Sequence, residues 1–241
     1  MLGRLAIRSV HIQVLTVFLL SPAFLAAQQA IPASPPAPKP ATPAPRFVVV
    51  LDAAHGGDDP GGKFGSLAEK DLTLALSVRL RSLLAARGIA VVTTRESDAT
   101  VPPERRAEIA NHAGAQACLS LHATQTGSGV HMFVSSLPPQ DPARMAAWKT
   151  AQSAWVTRSI ALEGVLNSAL LQAGMNVTLG RTALPSLDSM ICPAVAVEFA
   201  PASAQKDEKP STPLDDSAYQ ARLAEALAAG LLAWQAEERQ P

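Results

Sequence analysis

Two histidines stand next to apolar stretches that are typical of buried strands. His55 follows the apolar run 48–51, and His122 follows the apolar run 118–121. In open parallel sheets, sites form outside the carboxyl ends of the strands, so two histidines at two strand ends can converge although they are distant in sequence. Glu198 has a similar placement, because it follows the apolar run 194–197. A carboxylate there is disfavoured unless it meets a cation, a metal or a proton donor.

Glu69 could complete a metal site with these histidines. It follows His55 across a glycine-rich loop at 56–62, and that loop can return it to the same strand end. Two neutral imidazoles and one carboxylate are a common zinc-binding set that leaves a position for water, which attacks a polarised carbonyl. In this hypothesis, Glu198 takes the proton of the water and passes it to the leaving amine.

Each of these residues also has a purely structural interpretation. His55 could line a turn, and His122 could be a core histidine whose hydrogen bonds are satisfied. Glu69 could be a carboxylate at a helix start, where the helix dipole favours negative charge. Glu198 could form a salt bridge at a strand end. The patterns around these residues leave both interpretations open.

The elements that must position these residues alternate between strand and helix. Leucines at helical spacing predict a helix over 71–87 that ends before Gly88, and Pro102 and Pro103 open a second helix that ends near Gly114. Apolar runs predict strands at 47–51, 90–94, 117–121, 129–135 and 194–199. We expect one or two helices in 142–173, a loop over 202–215 and a closing helix over 216–236. This order predicts an α/β fold with a mostly parallel central sheet flanked by helices on both faces, in a single domain.

The first 46 residues predict targeting and a linker. Arg4 and Arg8 precede an apolar run that ends in small residues near Ala27, which indicates a signal peptide over 1–27. Residues 28–46 are rich in proline and alanine and predict a semi-extended linker. We therefore expect export to the periplasm, the cell wall or the extracellular space, with no stable membrane insertion once the signal is cleaved.

The charge balance argues against nucleic-acid binding. Lys plus Arg and Asp plus Glu each number 20, and no basic stripe is present. Cys118 and Cys192 could pair in an oxidising compartment or remain as buried thiols, because sequence does not give their separation. His112, on a polar helix face, and His131, in an alternating strand, are interpreted as ordinary residues.

At the four candidate site residues the sequence resembles the zinc-dependent N-acetylmuramoyl-L-alanine amidases, which are cell-wall hydrolases with an amidase type 3 catalytic domain. Residues 50–57, 69–72 and 120–123 are similar to the three metal motifs of that family, and 193–198 to its segment with the catalytic glutamate. The resemblance runs from residue 47 to the C-terminal helix. It implies that His55, Glu69 and His122 hold zinc and that Glu198 is the general acid/base.

The resemblance implies a peptidoglycan hydrolase that cleaves the amide bond between N-acetylmuramic acid and L-alanine of the stem peptide, with 47–241 as the zinc amidase catalytic domain. We expect it to act as a monomer on peptidoglycan. Two alternatives stay open. One is a non-catalytic wall-binding or regulatory protein with a degenerate amidase fold, since Ala53 and Ala54 replace the usual Pro-Gly. The other is a zinc hydrolase of another amide.

Related enzymes carry a regulatory helix over the zinc, and residues 143–155 are a candidate for such a helix. A packing helix is the preferred interpretation, because Met145, Trp148 and Trp155 repeat at helical spacing.

Overall fold

A six-stranded sheet forms the centre of the described chain, which comprises residues 46–141, 147–203 and 212–239 of a computed structural model. The predicted signal peptide, nearly all of the predicted linker and residues 204–211 of the predicted loop lie outside these ranges. The strands are β1 (Val48–Ala53), β2 (Lys63–Phe64), β3 (Leu67–Ala68), β4 (Ala90–Thr93), β5 (Ala117–Ala123), β6 (Val130–Ser135), β7 (Val177–Thr182) and β8 (Ala194–Phe199). The sheet order is β4-β1-β5-β8-β6-β7, and β2 pairs with β3 separately.

The sheet is mostly parallel, with one reversal of direction. Strands β4, β1, β5 and β8 run parallel to one another, whereas β6 is antiparallel to β8 and parallel to β7. The carboxyl ends of β5 and β8 therefore lie on the same side of the sheet as the start of β6. The predicted α/β architecture is confirmed.

Helices cover both faces of the sheet. They are α1 (Glu69–Ala86), α2 (Pro103–Ala113), α3 (Val156–Gln172), α4 (Pro185–Asp188) and α5 (Ser217–Glu238). Helices α1, α3 and α5 contribute leucines to the larger hydrophobic core, and α2 and α4 pack against the opposite face. Gly88 and Gly114 follow α1 and α2 with φ of 78° and 58°, as expected for helix-ending glycines.

Strand β7, the β2–β3 hairpin and α4 were not predicted from sequence. The strand lies at the sheet edge and has no fully buried residue, so it lacks the apolar run that marks the central strands. Each strand of the hairpin has only two residues, and α4 has only four. These elements are too short to show a hydrophobic period.

Cys118 and Cys192 form a disulfide, which answers the question that the sequence left open. Cys118 lies in β5 opposite Ala194 of β8, and Cys192 lies just before β8. Both sulfurs are buried in the smaller core between the sheet and helices α2 and α4. The bond thus links two neighbouring strands near the start of β8.

The described part of the candidate regulatory helix is a short 3-10 helix, Trp148–Ala154, and Met145 lies outside the described residues. Its Gln152 amide donates to the carbonyl oxygens of Met190 and Cys192 at 2.9 and 3.1 Å. This part packs against the chain entering β8, at the opposite end of that strand from Glu198. The packing agrees with the preferred interpretation.

No helix within the described ranges is both long enough and apolar enough to cross a membrane.

Candidate metal centre and active site

The three candidate ligands lie together at the carboxyl end of the central strands. His55 Nε2 is 3.1 Å from Glu69 Oε2, and His122 Nδ1 is 2.9 Å from Glu69 Oε1. The two imidazole rings stand edge to face, with centroids 5.4 Å apart. One potential ligand atom from each residue lies within 4.8 Å of the others.

These separations fit a small metal ion. Two ligands of a tetrahedral zinc lie roughly 3.4 Å apart when each bond is about 2.1 Å. Burial raises the pKa of Glu69, but hydrogen bonds from His122 and His55 and from the backbone N–H groups of Gly62 and Ala123 outweigh it, so its pKa is well below the usual range. The carboxylate is therefore charged. The hydrogen bond to Glu69 also raises the pKa of His55, although burial partly offsets this.

The loop after β1 holds His55 in an uncommon backbone conformation. Its φ is 61°, and among the described residues it is the only non-glycine with a positive φ. Arg106 Nη2 donates to the His55 carbonyl oxygen at 2.7 Å, and His55 Nδ1 is 2.8 Å from Asp59 Oδ2. The Asp59 contact orients the ring so that Nε2 faces Glu69. Ala54 does not have a positive φ, so an alanine at this position is not strained.

Gly61 lets the loop pass close to two ligand side chains. A Cβ at this position would lie 2.5 Å from His55 Cδ2 and 2.7 Å from Glu69 Oε2, and the φ of Gly61 is 65°. Only glycine combines this conformation with so close an approach.

Asp52 anchors β1 beneath the His55 loop. It accepts hydrogen bonds from Thr94 Oγ1 and Arg106 Nη1, each at 2.7 Å, and from Ser120 Oγ at 2.9 Å. Arg95 Nε donates to the carbonyl oxygen of Ala53 at 2.9 Å. These polar groups satisfy one another in the interior and fix the strand end from which the loop departs.

Glu198 lies beside His122 on the same face of the sheet. In the parallel pairing of β5 with β8, His122 is opposite Glu198, and neighbouring strands are about 4.8 Å apart. Glu198 therefore stands next to the ligand set, with its side chain 30% exposed. Strand register thus places Glu198 beside His122, at the end of the strands where the other candidate ligands lie.

Sequence reasoning missed the residue on the other side of Glu198. In the antiparallel pairing of β6 with β8, His131 is opposite Glu198, and its Nδ1 is 3.1 Å from Glu198 Oε2. Side chains along β6 alternate between the two faces of the sheet, so His131 faces the opposite side from the buried Val130 and Met132. However, only the sheet order reveals that β6 reverses direction and lies beside β8.

A cluster of two half-buried histidines and one buried carboxylate at the carboxyl ends of the central strands defines a candidate metal-dependent hydrolase. The family profile of N-acetylmuramoyl-L-alanine amidases matches residues 49–233. The chain belongs to this family.

Individual relatives agree with this family. The chain is 35% identical to the germination-specific N-acetylmuramoyl-L-alanine amidase of Bacillus subtilis, over 36% of this chain and 44% of that protein. It is 45% identical to the N-acetylmuramoyl-L-alanine amidase AmiA of Escherichia coli, over 32% of this chain and 27% of that protein. The chain therefore spans less than half the length of these relatives.

Solved structures share the fold. The catalytic domain of CwlV, an amidase from Bacillus (Paenibacillus) polymyxa var. colistinus, aligns with a TM-score of 0.61 at 21% identity, covering 79% of this chain and 98% of that one. An amidase from Mycobacterium smegmatis aligns with a TM-score of 0.63 at 21% identity, covering 79% and 97%.

Proposed function

We propose that this protein hydrolyses the amide bond between N-acetylmuramic acid and L-alanine of the peptidoglycan stem peptide. The observation that carries the proposal is the cluster of His55, Glu69 and His122 with Glu198 as the strand neighbour of His122. Membership of the amidase family supplies the substrate class.

Each of the four residues has a distinct task in this proposal. His55, Glu69 and His122 would hold a zinc ion, which when bound supplies a Lewis acid and lowers the pKa of water. Glu198 removes the proton from the attacking water as the new carbon–oxygen bond forms. It then delivers that proton to the amide nitrogen as the carbon–nitrogen bond breaks, so the same carboxyl group acts as base and as acid.

The geometry favours an enzyme over a degenerate wall-binding protein. Ala53 and Ala54 are the residues that favour a degenerate fold, but Ala54 needs no positive φ, and the loop still directs His55 towards Glu69. A binding protein has no need for a charged, buried carboxylate between two imidazoles. Zinc hydrolysis of another amide would use the same groups, so products must distinguish the two substrates.

Export is the second part of the proposal. The Cys118–Cys192 disulfide supports it, because such bonds persist in oxidising compartments and are rare in the cytosol. We propose that residues 1–27 direct export and that 28–46 space the domain from the N-terminus. The monomeric state remains a prediction.

The deciding experiment measures zinc and reaction products together. The purified protein is analysed for bound zinc and incubated with peptidoglycan, and stem peptides with a free L-alanine amino terminus are followed by mass spectrometry. Glu198→Gln should keep zinc and lose about 100- to 10,000-fold in rate. Glu237→Gln, an exposed change on α5, should match the wild type.

Two results would contradict the proposal. Zinc-loaded protein that releases no stem peptide would point to another substrate, and protein that binds no zinc would favour the non-catalytic reading.

A further inference from the structure

His131 contacts the carboxylate of Glu198 from the side opposite the metal ligands. The register of β5, β8 and β6 places His122, Glu198 and His131 in a row across three neighbouring strands, on one face of the sheet. Glu198 therefore has a candidate metal ligand on one side and an imidazole on the other. The Nδ1–Oε2 distance of 3.1 Å is that of a hydrogen bond.

Glu198 has a single side-chain anchor. Within the described ranges, His131 is the sole hydrogen-bonding partner of the Glu198 carboxylate, and it contacts Oε2. The other oxygen, Oε1, stays available to a water or an amine. A hydrogen bond to Oε2 restricts rotation of the carboxyl group, and general acid/base catalysis depends on the orientation of that group.

The imidazole of His131 is itself confined. A Cβ added at Gly127 would lie 2.7 Å from His131 Nε2 and 2.8 Å from Cε1, so the backbone of the loop between β5 and β6 passes close to the ring. The φ of Gly127 is 79°, a conformation that favours glycine. The His131 side chain is 15% exposed. The ring is thus held between the Gly127 loop and Glu198.

Backbone contacts at the start of β6 hold the register that pairs His131 with Glu198. The Ala200 N–H donates to the Gly129 carbonyl oxygen at 2.8 Å, and the Gly129 N–H donates to the Pro201 carbonyl oxygen at 3.2 Å. The buried hydroxyl of Tyr219 adds a donor shared between the carbonyl oxygens of Ala200, at 2.8 Å, and Gly129, at 3.2 Å. A slip of one residue would turn His131 to the other face of the sheet.

We propose that His131 is a positioning residue that donates its Nδ1–H to Glu198 Oε2 and directs Oε1 towards the reacting water and the leaving amine. The proposal rests on the amidase function proposed above. The proposal also assigns the donated proton to Nδ1, whereas Nε2 lies against Gly127. His131 acts through Glu198 and touches neither the substrate nor the metal.

Kinetics of three substitutions at position 131 test the positioning role. His131→Ala removes the donor and should lower kcat by about 10- to 100-fold, with KM and zinc content unchanged. His131→Asn offers an amide N–H near the position of Nδ1 and should restore most of kcat. His131→Gln presents its amide near the position of Nε2 and should not. His112→Ala, on the exposed face of α2, is the matched control and should retain the wild-type kcat.

A structural role alone would give a different result. Equal losses in His131→Ala and His131→Asn, a loss confined to KM, or no loss at all would each overturn the positioning role.

Nuclear magnetic resonance of ¹⁵N-histidine-labelled, metal-free protein tests the contact without relying on activity. At a pH where the spectra show a neutral ring, His131 should appear as the Nδ1–H tautomer, and Glu198→Ala should shift it towards Nε2–H. An Nε2–H tautomer in the wild type, or no response to Glu198→Ala, would overturn the proposed contact. Wild-type protein that shows this tautomer but releases no stem peptide would refute the amidase function alone.

Discussion

Arg106 and Asp52 form a buried ion pair beneath the loop that carries His55. Arg106 Nη1 is 2.7 Å from Asp52 Oδ1, and the two side chains are 7% and 2% exposed. The same guanidinium donates to the carbonyl oxygens of Ala53 and His55. The Arg106 side chain thus links Asp52, the end of β1 and His55.

Removing this guanidinium should cost both stability and loop geometry. Arg106→Ala leaves Asp52 charged and buried without its partner, so we expect the free energy of unfolding to fall by about 3–5 kcal/mol. Urea denaturation followed by circular dichroism measures the change. The control is Arg105→Ala, since Arg105 is exposed and its ion pair with Glu108 should contribute less than about 1 kcal/mol. Similar losses in both variants would contradict this role of the pair.

Asp59 should influence metal affinity through His55. It is exposed, but its Oδ2 is 2.8 Å from His55 Nδ1, and partners of this kind orient a ligating imidazole. We expect Asp59→Ala to weaken zinc binding by about 10- to 100-fold, measured by competition with a chelator. Asp58→Ala removes a neighbouring exposed carboxylate that does not contact His55, and it should leave the affinity unchanged. A similar loss of zinc affinity in both variants would indicate a general effect of the removed negative charge and would contradict a specific role of Asp59.

Glu163 should make stability depend on pH. Its side chain in α3 is buried and, within the described residues, its Oε1 has no hydrogen-bond partner. Burial raises its pKa from 4.5 to about 7, and the charge of Arg181 offsets only part of this. The folded state binds the Glu163 proton more tightly than the unfolded state does. The protonated Glu163 therefore contributes its full stabilisation below pH 4.5. That contribution is lost as the pH rises through about 7.

The corresponding variant is Glu163→Gln, which stays neutral at all pH values. The free energy of unfolding of the variant, relative to that of the wild type, should therefore increase from pH 5 to pH 8. The increase should reach up to about 3 kcal/mol, at roughly 1.4 kcal/mol per pKa unit. Urea denaturation at the two pH values measures the difference, and Glu237→Gln serves as the exposed control. If the difference in stability between Glu163→Gln and the wild type is the same at both pH values, Glu163 is ionised in the folded protein throughout this range.

The disulfide should contribute measurably to stability. It joins residues 74 positions apart, and disulfides typically stabilise a protein by about 2–4 kcal/mol, mainly by constraining the unfolded chain. Dithiothreitol should therefore lower the unfolding midpoint of the wild type. The Cys118→Ala/Cys192→Ala double variant should be less stable and insensitive to the reductant. Equal midpoints of the wild type with and without reductant would show that the bond is absent or without effect.

The central fold could be predicted because its elements carry strong local signals. Buried strands such as β8 are continuous apolar runs, and Gly88 and Gly114 mark the ends of α1 and α2. The candidate ligands could be predicted for a related reason: His55 and His122 follow such runs, and parallel strands end at one edge of the sheet.

The reversal at β6 could not be predicted, because strand direction depends on sheet order and β6 has the same alternating pattern in either direction. The sequence alone therefore does not distinguish His131 from an ordinary strand residue. The Cys118–Cys192 pairing depended on the same missing information, since it requires β5 and β8 to be neighbours.

The disulfide also bears on the export proposed for this chain. In the reducing cytosol the two thiols would remain separate. The newly made precursor would then lack the link between β5 and β8, and it should unfold more readily for transport. Oxidation after transport would secure the strands that carry His122 and Glu198 only once the protein has reached the compartment where peptidoglycan is found.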